Sequence, residues 1–284
     1  MRFKRGRLPA LHTRRTMRLA LAMHQTLAPL GVPPKVSDDY VSAVFRQLNP
    51  SNQPLGGPWG MFLNGPDGNS DDPVIGDCTA ADSAHQVMLH SANGGSIVVP
   101  PTADVAAFYS ATSGWDPKNS EATDQGALEA KVCAYLMKAG LAGIKSAATY
   151  PIDPTNIAHL KWVVQIFGAV RLGILVNEES EQLFSRLEPW TAPPDQNDPT
   201  TGGHDAPGVF YDEKYLYVVT WGGGRQPKGL QPVAWELVAD CGFLLEAHVD
   251  VFPDFIRAGG TAPSGFDLAG MLALAQQIEM QEAA

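Results

Sequence analysis

The stretch Gly76-Asp77-Cys78-Thr79-Ala80-Ala81 stands directly before a run of helical periodicity that continues to about residue 91. Asp77 suits the N-cap of that helix, because its carboxylate can accept free amide hydrogens of the first turn. Cys78 then lies at a helix start, where the positive potential of those amides favours a thiolate. A cysteine that only packs in the core fits the same position. The stretch therefore predicts a helix and a candidate nucleophile, Cys78.

The composition favours one large domain of irregular α+β architecture. The 284 residues are 44% hydrophobic and 18% charged, with 28 glycines and 23 prolines, which indicates a sizeable core and many loops. The cysteines Cys78, Cys133 and Cys241 have no paired spacing, so they favour a reducing compartment over a disulfide framework, although a Cys133–Cys241 bond stays open. The chain contains neither Cys-x-x-Cys nor His-x-x-x-His, which predicts no structural zinc and no other metal or cofactor.

The first 37 residues carry eight basic residues and no acidic one, in a chain whose net charge is −10. This basic arm (residues 1–37) is predicted to lie on an acidic surface, either its own or that of a protein partner. The acidic body argues against nucleic-acid binding outside the arm. Arg14-Arg15 before an apolar run also fits a twin-arginine export signal, but polar residues interrupt that run. No apolar run approaches the roughly 20 residues that span a bilayer, so no membrane segment is expected.

His204 follows Gly202-Gly203 and directly precedes a predicted β-hairpin. The hairpin covers residues 205–221, with its turn at 212–214. The predicted register places His204 opposite Gly222 and on the same face as Thr220, one diagonal step away. Thr220 is therefore a candidate to orient the imidazole. A histidine that only bonds to backbone within a sheet fits the same pattern.

Other periodic segments predict the remaining elements. Helical patterns cover residues 102–110, 126–139, 154–167 and 235–240, and strand patterns cover 169–176 and 243–251. His85 and His90 lie five apart on the Cys78 helix, which is the wrong spacing for two metal ligands on one face. Both are predicted to be packing or surface residues.

The order of these segments resembles that of the papain-like cysteine peptidases, over roughly residues 58–252. The matching pieces, in chain order, are the Cys78 helix, Asp124-Gln125-Gly126-Ala127, Gly168-Ala169-Val170, Gly203-His204 and Thr220-Trp221-Gly222. The resemblance implies an α+β fold, in which a helical part that carries Cys78 packs on an antiparallel sheet that carries His204. Residues 1–57 are then an arm with a linker, and residues 253–284 a C-terminal extension.

Two positions depart from the pattern of that family. Thr220 takes the place of the family's Asn, or Val219 does if the following Trp is aligned without a gap. The Gln that the family places six residues before the Cys is Asp72 here, which is an acceptor when ionised and cannot donate to an oxyanion. If residues 65–75 are an insertion, the resemblance implies Asn64 as the oxyanion donor, with Asn69 second.

The chain resembles more closely a group of uncharacterised papain-like proteins in phage and bacterial genomes, which share the basic arm, Gly-Asp-Cys-Thr and Val-Thr-Trp-Gly. We therefore expect a peptidase or amidase that uses Cys78, His204, Thr220 and Asn64 on a peptide-like substrate. One alternative is a non-catalytic docking protein of a phage particle, with the arm on neighbouring virion subunits. Another is a cell-wall amidohydrolase. The expected location is cytoplasmic or virion-associated.

Overall fold

The computed structural model describes residues 75–94, 96–152, 154–220, 230–240, 242–256, 260 and 267–271. Within these ranges the helices are α1 (Cys78–Gly94), α2 (Thr102–Ser113), α3 (Ser120–Thr123), α4 (Glu129–Lys138), α5 (Ile157–Phe167), α6 (Glu178–Arg186) and α7 (Trp235–Val238). The strands are β1 (Ala148–Ile152), β2 (Val170–Val176), β3 (Gly202–Tyr211), β4 (Tyr215–Val218), β5 (Gln231–Ala234) and β6 (Leu244–Val251). Short 3-10 turns occupy Pro117–Asn119 and Pro253–Phe255.

The strands of the described residues form one antiparallel sheet in the order β1-β6-β2-β3-β4-β5. Helix α1 packs on β3, and α5 packs on β2, β3 and β6. One apolar cluster joins the helices to the sheet and includes Val87, Phe108, Leu136, Val163 and Leu172. The predicted α+β class, with a Cys78 helix packed on an antiparallel sheet that carries His204, is confirmed.

Helix α1 lies in the interior of the molecule. Fifteen of its 17 residues are buried, including the polar residues Asp82, His85 and His90. His90 bonds to the backbone carbonyls of Gln86 and Phe167 and stacks on Phe252, whose ring centroid is 4.4 Å away. Burial lowers the pKa of His90. His85 and His90 are therefore packing residues and not surface residues.

The hairpin follows the predicted turn with one irregularity. Gly208 pairs with Val218 in the predicted register, but a bulge between Gly208 and Phe210 shifts the pairs nearer the turn by one residue. Gly222, the predicted partner of His204, lies outside the described residues. Strand β2 was predicted one residue longer at its start, and α4 begins three residues later than expected, at Glu129.

Strands β1 and β5 and helix α6 were not foreseen. Pro151 and Pro232 lie within these two strands. A proline has no amide hydrogen to donate, so a segment that contains one is predicted to be a loop or an edge strand. Both strands in fact lie at the edges of the sheet, where a missing amide hydrogen is tolerated. None of the helices in the described ranges is long and apolar enough to cross a membrane.

Candidate active site

Cys78 is the first residue of α1 and is 2% exposed. The backbone carbonyl of Asp77 accepts hydrogen bonds from the amides of Ala80 and Ala81, both at 2.9 Å, which closes the first turn. The thiol therefore lies at the amino end of a buried helix, where the amide dipoles favour negative charge. The predicted capping role of the Asp77 carboxylate remains a prediction.

The backbone just before Cys78 is held by Asp124. The amide of Gly76 donates to both carboxylate oxygens of Asp124, at 3.2 and 3.0 Å. The hydroxyl of Tyr109 also donates to Asp124 and accepts from the amide of Gly126 at 3.2 Å. Burial, then the bond to Asp124 and the charge of Asp124, raise the pKa of Tyr109, so this hydroxyl is protonated at neutral pH.

The contact between Asp124 and Gly76 gives a structural role to one of the segments that resemble the papain-like family. The sequence placed Asp124-Gln125-Gly126-Ala127 at the opening of a helix, but α4 begins only at Glu129. The segment instead shapes the loop that leads to Cys78. A carboxylate that accepts two backbone or hydroxyl donors in the core holds its partners firmly, because losing it would leave those buried donors unpaired.

His204 lies on β3 and is 2% exposed. Its Nε2 is hydrogen-bonded to Oγ1 of Thr220 at 2.8 Å, and Thr220 is also buried. The structure thus joins His204 to Thr220, as the diagonal placement in the hairpin predicted. Helix α1 and strand β3, which carry Cys78 and His204, pack against each other. Asn64, Asn69 and Asp72 lie outside the described residues, so the oxyanion predictions are untested.

A fully buried arginine, Arg171, connects the Cys78 helix to the His204 strand. Its guanidinium donates to the carbonyl of Thr79 at 3.4 Å and to the hydroxyl of Ser83 at 3.1 Å, both on α1. It also pairs with four buried carboxyl groups, whose shortest contacts are Asp82 at 3.4 Å, Glu129 at 3.6 Å, Asp205 at 3.4 Å and Asp250 at 3.0 Å. We call these five residues the Arg171 cluster.

Sequence reasoning did not find the Arg171 cluster. The sequence predicted a strand over residues 169–176 and gave Arg171 no role, whereas β2 is buried on both faces. Asp205 directly follows His204, and Thr79 directly follows Cys78. The cluster therefore fixes the two backbones that carry the candidate pair.

The carboxyl groups of the Arg171 cluster have unusual acidities. Burial raises the pKa of Asp82 from 3.8 to about 7, against the opposing influence of Arg171. Burial also raises the pKa of Asp205 far above its usual value, with further contributions from the charges of Glu129 and Asp82. Burial alone would lower the pKa of Arg171, but the surrounding carboxylates outweigh it and keep the guanidinium charged.

We expect the free energy of unfolding to fall as the pH rises from about 4 to 7. The folded protein keeps a proton on Asp82 in that window, whereas the unfolded chain has released it, so a lower pH favours folding. Asp82→Asn should reduce this slope, because the amide does not titrate. Urea denaturation of both proteins at several pH values measures the difference. Parallel curves for the two proteins would contradict the assignment.

No protein-family model matches the sequence, and no curated protein matches it. Among solved structures the chain is similar to xylellain, a cysteine protease from Xylella fastidiosa, with a TM-score of 0.55 and 15% sequence identity. That match covers 88% of this chain and 96% of xylellain. A Carica candamarcensis cysteine protease matches with a TM-score of 0.45 and 13% identity, over 62% of this chain and 89% of that one. The chain has the papain-like fold.

Proposed function

We propose that this protein is a cysteine hydrolase that cleaves peptide or amide bonds, with Cys78 as the nucleophile and His204 as the general base. The observation that supports this most directly is the bond between His204 Nε2 and Thr220 Oγ1 at 2.8 Å. A catalytic histidine needs such a partner, which fixes the ring and leaves the other nitrogen, Nδ1, to exchange protons with the thiol. The fold supports the proposal because it packs the Cys78 helix on the His204 strand.

The proposed reaction has two steps. In the first, Cys78 Sγ attacks the carbonyl carbon while His204 takes the thiol proton and then gives it to the leaving amine. This breaks the C–N bond and leaves a thioester on Cys78. In the second, His204 takes a proton from water while the oxygen attacks the thioester carbon. The C–S bond then breaks, the carboxylic acid leaves, and His204 returns the proton to the Cys78 thiolate. The backbone amide of Cys78, with Asn64 as second donor, would bind the oxyanion.

Alkylation by iodoacetamide at neutral pH tests the activation of the thiol. Cys78 is expected to react at least about tenfold faster than Cys133, because a helix start and an imidazole increase the thiolate fraction. Cys133 is a suitable internal reference, since it is a free buried thiol whose pKa burial raises. Mass spectrometry of each cysteine-containing peptide gives the rates. Equal labelling of Cys78 and the other two cysteines would refute the proposal.

Thr220→Val tests the orienting role of the threonine. The variant keeps the shape of the side chain but removes the hydroxyl that bonds to His204, so we expect about a tenfold slower alkylation of Cys78. Thr220→Ser retains the hydroxyl and should react like the wild-type protein. If Thr220→Val labels as fast as Thr220→Ser, the hydroxyl has no role in activation.

A non-catalytic docking protein of a phage particle is the second candidate. Two observations favour it: Cys78 is only 2% exposed, and Thr220 stands where the papain-like family has Asn. In this proposal the basic arm binds neighbouring subunits. Deletion of residues 1–20 separates the candidates, because loss of assembly with an intact fold supports docking, whereas a gain in hydrolysis supports an autoinhibitory arm. Turnover of peptidoglycan fragments would instead identify a cell-wall amidohydrolase.

A further inference from the structure

Three side chains outside the Cys78–His204 site meet between α4 and the sheet. Glu129 and Cys133 are four residues apart on α4, so they lie on one face of that helix. His248 lies on β6, and one ligand atom from each of the three side chains lies within 4.8 Å of the other two. Glu129 is 2% exposed and Cys133 is 5% exposed. Helix α4 therefore presents an acid and a thiol to an imidazole in the interior.

The polar atoms of this group have few partners. Within the described part of the chain, the buried Nδ1 of His248 has no hydrogen-bond partner. The Arg171 guanidinium contacts Glu129 only as an ion pair, with Nε 3.6 Å from Oε2. The carboxyl group of Asp205 is also hydrogen-bonded to Glu129. Two ionised carboxyl groups that face each other in the core would repel, so Asp205 and Glu129 share a proton, whose place a cation can take.

The surroundings of the group can accommodate a cation. Four buried carboxyl groups surround the single guanidinium of Arg171. A divalent ion that displaces the proton of the Cys133 thiol adds one net positive charge to this acidic interior. Arg171 does not block the position, since a carboxylate can face a guanidinium with one oxygen and bind an ion with the other.

We propose that Glu129, Cys133 and His248 bind a divalent transition-metal ion of the zinc type. Thiolate sulfur, imidazole nitrogen and carboxylate oxygen are the ligands that zinc takes in proteins, and three of them leave one position for water. A tetrahedral ion with bonds of about 2.0–2.3 Å needs ligand atoms roughly 3.3–3.7 Å apart. The observed spread of up to 4.8 Å therefore has to contract by about 1 Å, which side-chain rotation can supply.

The site would join the helical part of the molecule to its sheet. It does not depend on catalysis by Cys78, and it stands even if the hydrolase proposal fails. The sequence predicted no structural zinc, because paired metal-binding motifs contain only ligands that are close in the chain. A single Glu-x-x-x-Cys on a helix, with a histidine far downstream, has no such signature.

Cobalt titration of the full chain tests the site, because Co²⁺ bound to a thiolate gives a ligand-to-metal charge-transfer band. The wild-type protein is expected to show the band, and Zn²⁺ should abolish it by competition and raise the Tm. Cys133→Ser should lose the band. His248→Gln is a milder change at a half-buried residue, and it should weaken Co²⁺ binding by more than about tenfold.

The other two cysteines supply matched controls. Cys78→Ser and Cys241→Ser each remove one thiol but leave the proposed ligands intact, so both should keep the band and the Zn²⁺-dependent rise in Tm. Absence of the band from the wild-type protein would overturn the proposal. A band that survives in Cys133→Ser, or that disappears in Cys78→Ser, would place the metal on another thiol and overturn it as well.

Discussion

Cys78→Ala is expected to lower the kcat/KM for peptide or amide hydrolysis by at least about a thousandfold, or about 4 kcal/mol of transition-state stabilisation. Removal of Sγ leaves the proposed base and the oxyanion donors without a nucleophile. The protein should still fold, because the alanine only removes one atom at the buried start of α1. The measurement is the initial rate on any peptide that the wild-type protein cleaves in a mixed library.

Cys241→Ala is the control for a general effect of losing a thiol, and it should hydrolyse the same peptide at the wild-type rate. Thermal unfolding of both variants tests whether the fold is retained. Hydrolysis by Cys78→Ala at the wild-type rate would assign the activity to another group or to a contaminant, and it would remove the case for a cysteine hydrolase.

Arg171→Leu is expected to lower the free energy of unfolding by about 3–5 kcal/mol at pH 7. The substitution removes the only cation that the structure shows within the Arg171 cluster and leaves its carboxyl groups buried together. Breaking one partner of a buried ion pair costs this much because the remaining charge stays desolvated. Urea denaturation followed by circular dichroism measures the change.

Arg186→Leu is the matched control. Arg186 pairs with Glu188 at 3.4 Å, but both side chains are more than half exposed, so its loss should cost less than about 1 kcal/mol. The penalty of Arg171→Leu should also shrink at pH 5. Without the guanidinium the pKa of each neighbouring carboxyl rises further, so the folded variant gains protons that the unfolded chain does not yet bind. Equal stability of the two variants at pH 7 would contradict this account.

Local patterns were sufficient to predict the helix that begins at Cys78 and the turn at 212–214, because periodicity and turn chemistry act over a few residues. The bond between His204 and Thr220 followed from the same hairpin, since two strands joined by a short turn have a nearly fixed register. The bulge near Gly208 was not visible, as nothing in the local residue types marks it.

The Arg171 cluster was not predictable, because its members lie on three strands and two helices and no pattern in the chain connects them. An arginine on an alternating strand is usually solvent-exposed, and only the packing of α1 against the sheet shows otherwise. The support of Cys78 by Asp124 was missed for a similar reason. The segment that begins at Asp124 was recognised, but its contact is with the backbone of Gly76, which is distant in the chain.

The bond between Gly76 and Asp124 spans 48 residues of sequence, and His204 lies farther away still. During synthesis, a chain that has emerged only as far as α1 therefore holds a cysteine in ordinary, solvated surroundings. The thiol gains its ordered loop and its proposed imidazole partner only when the distant segments have docked. Any reactivity of Cys78 would thus develop together with the completed fold, and nascent chains would be protected from premature chemistry at this residue.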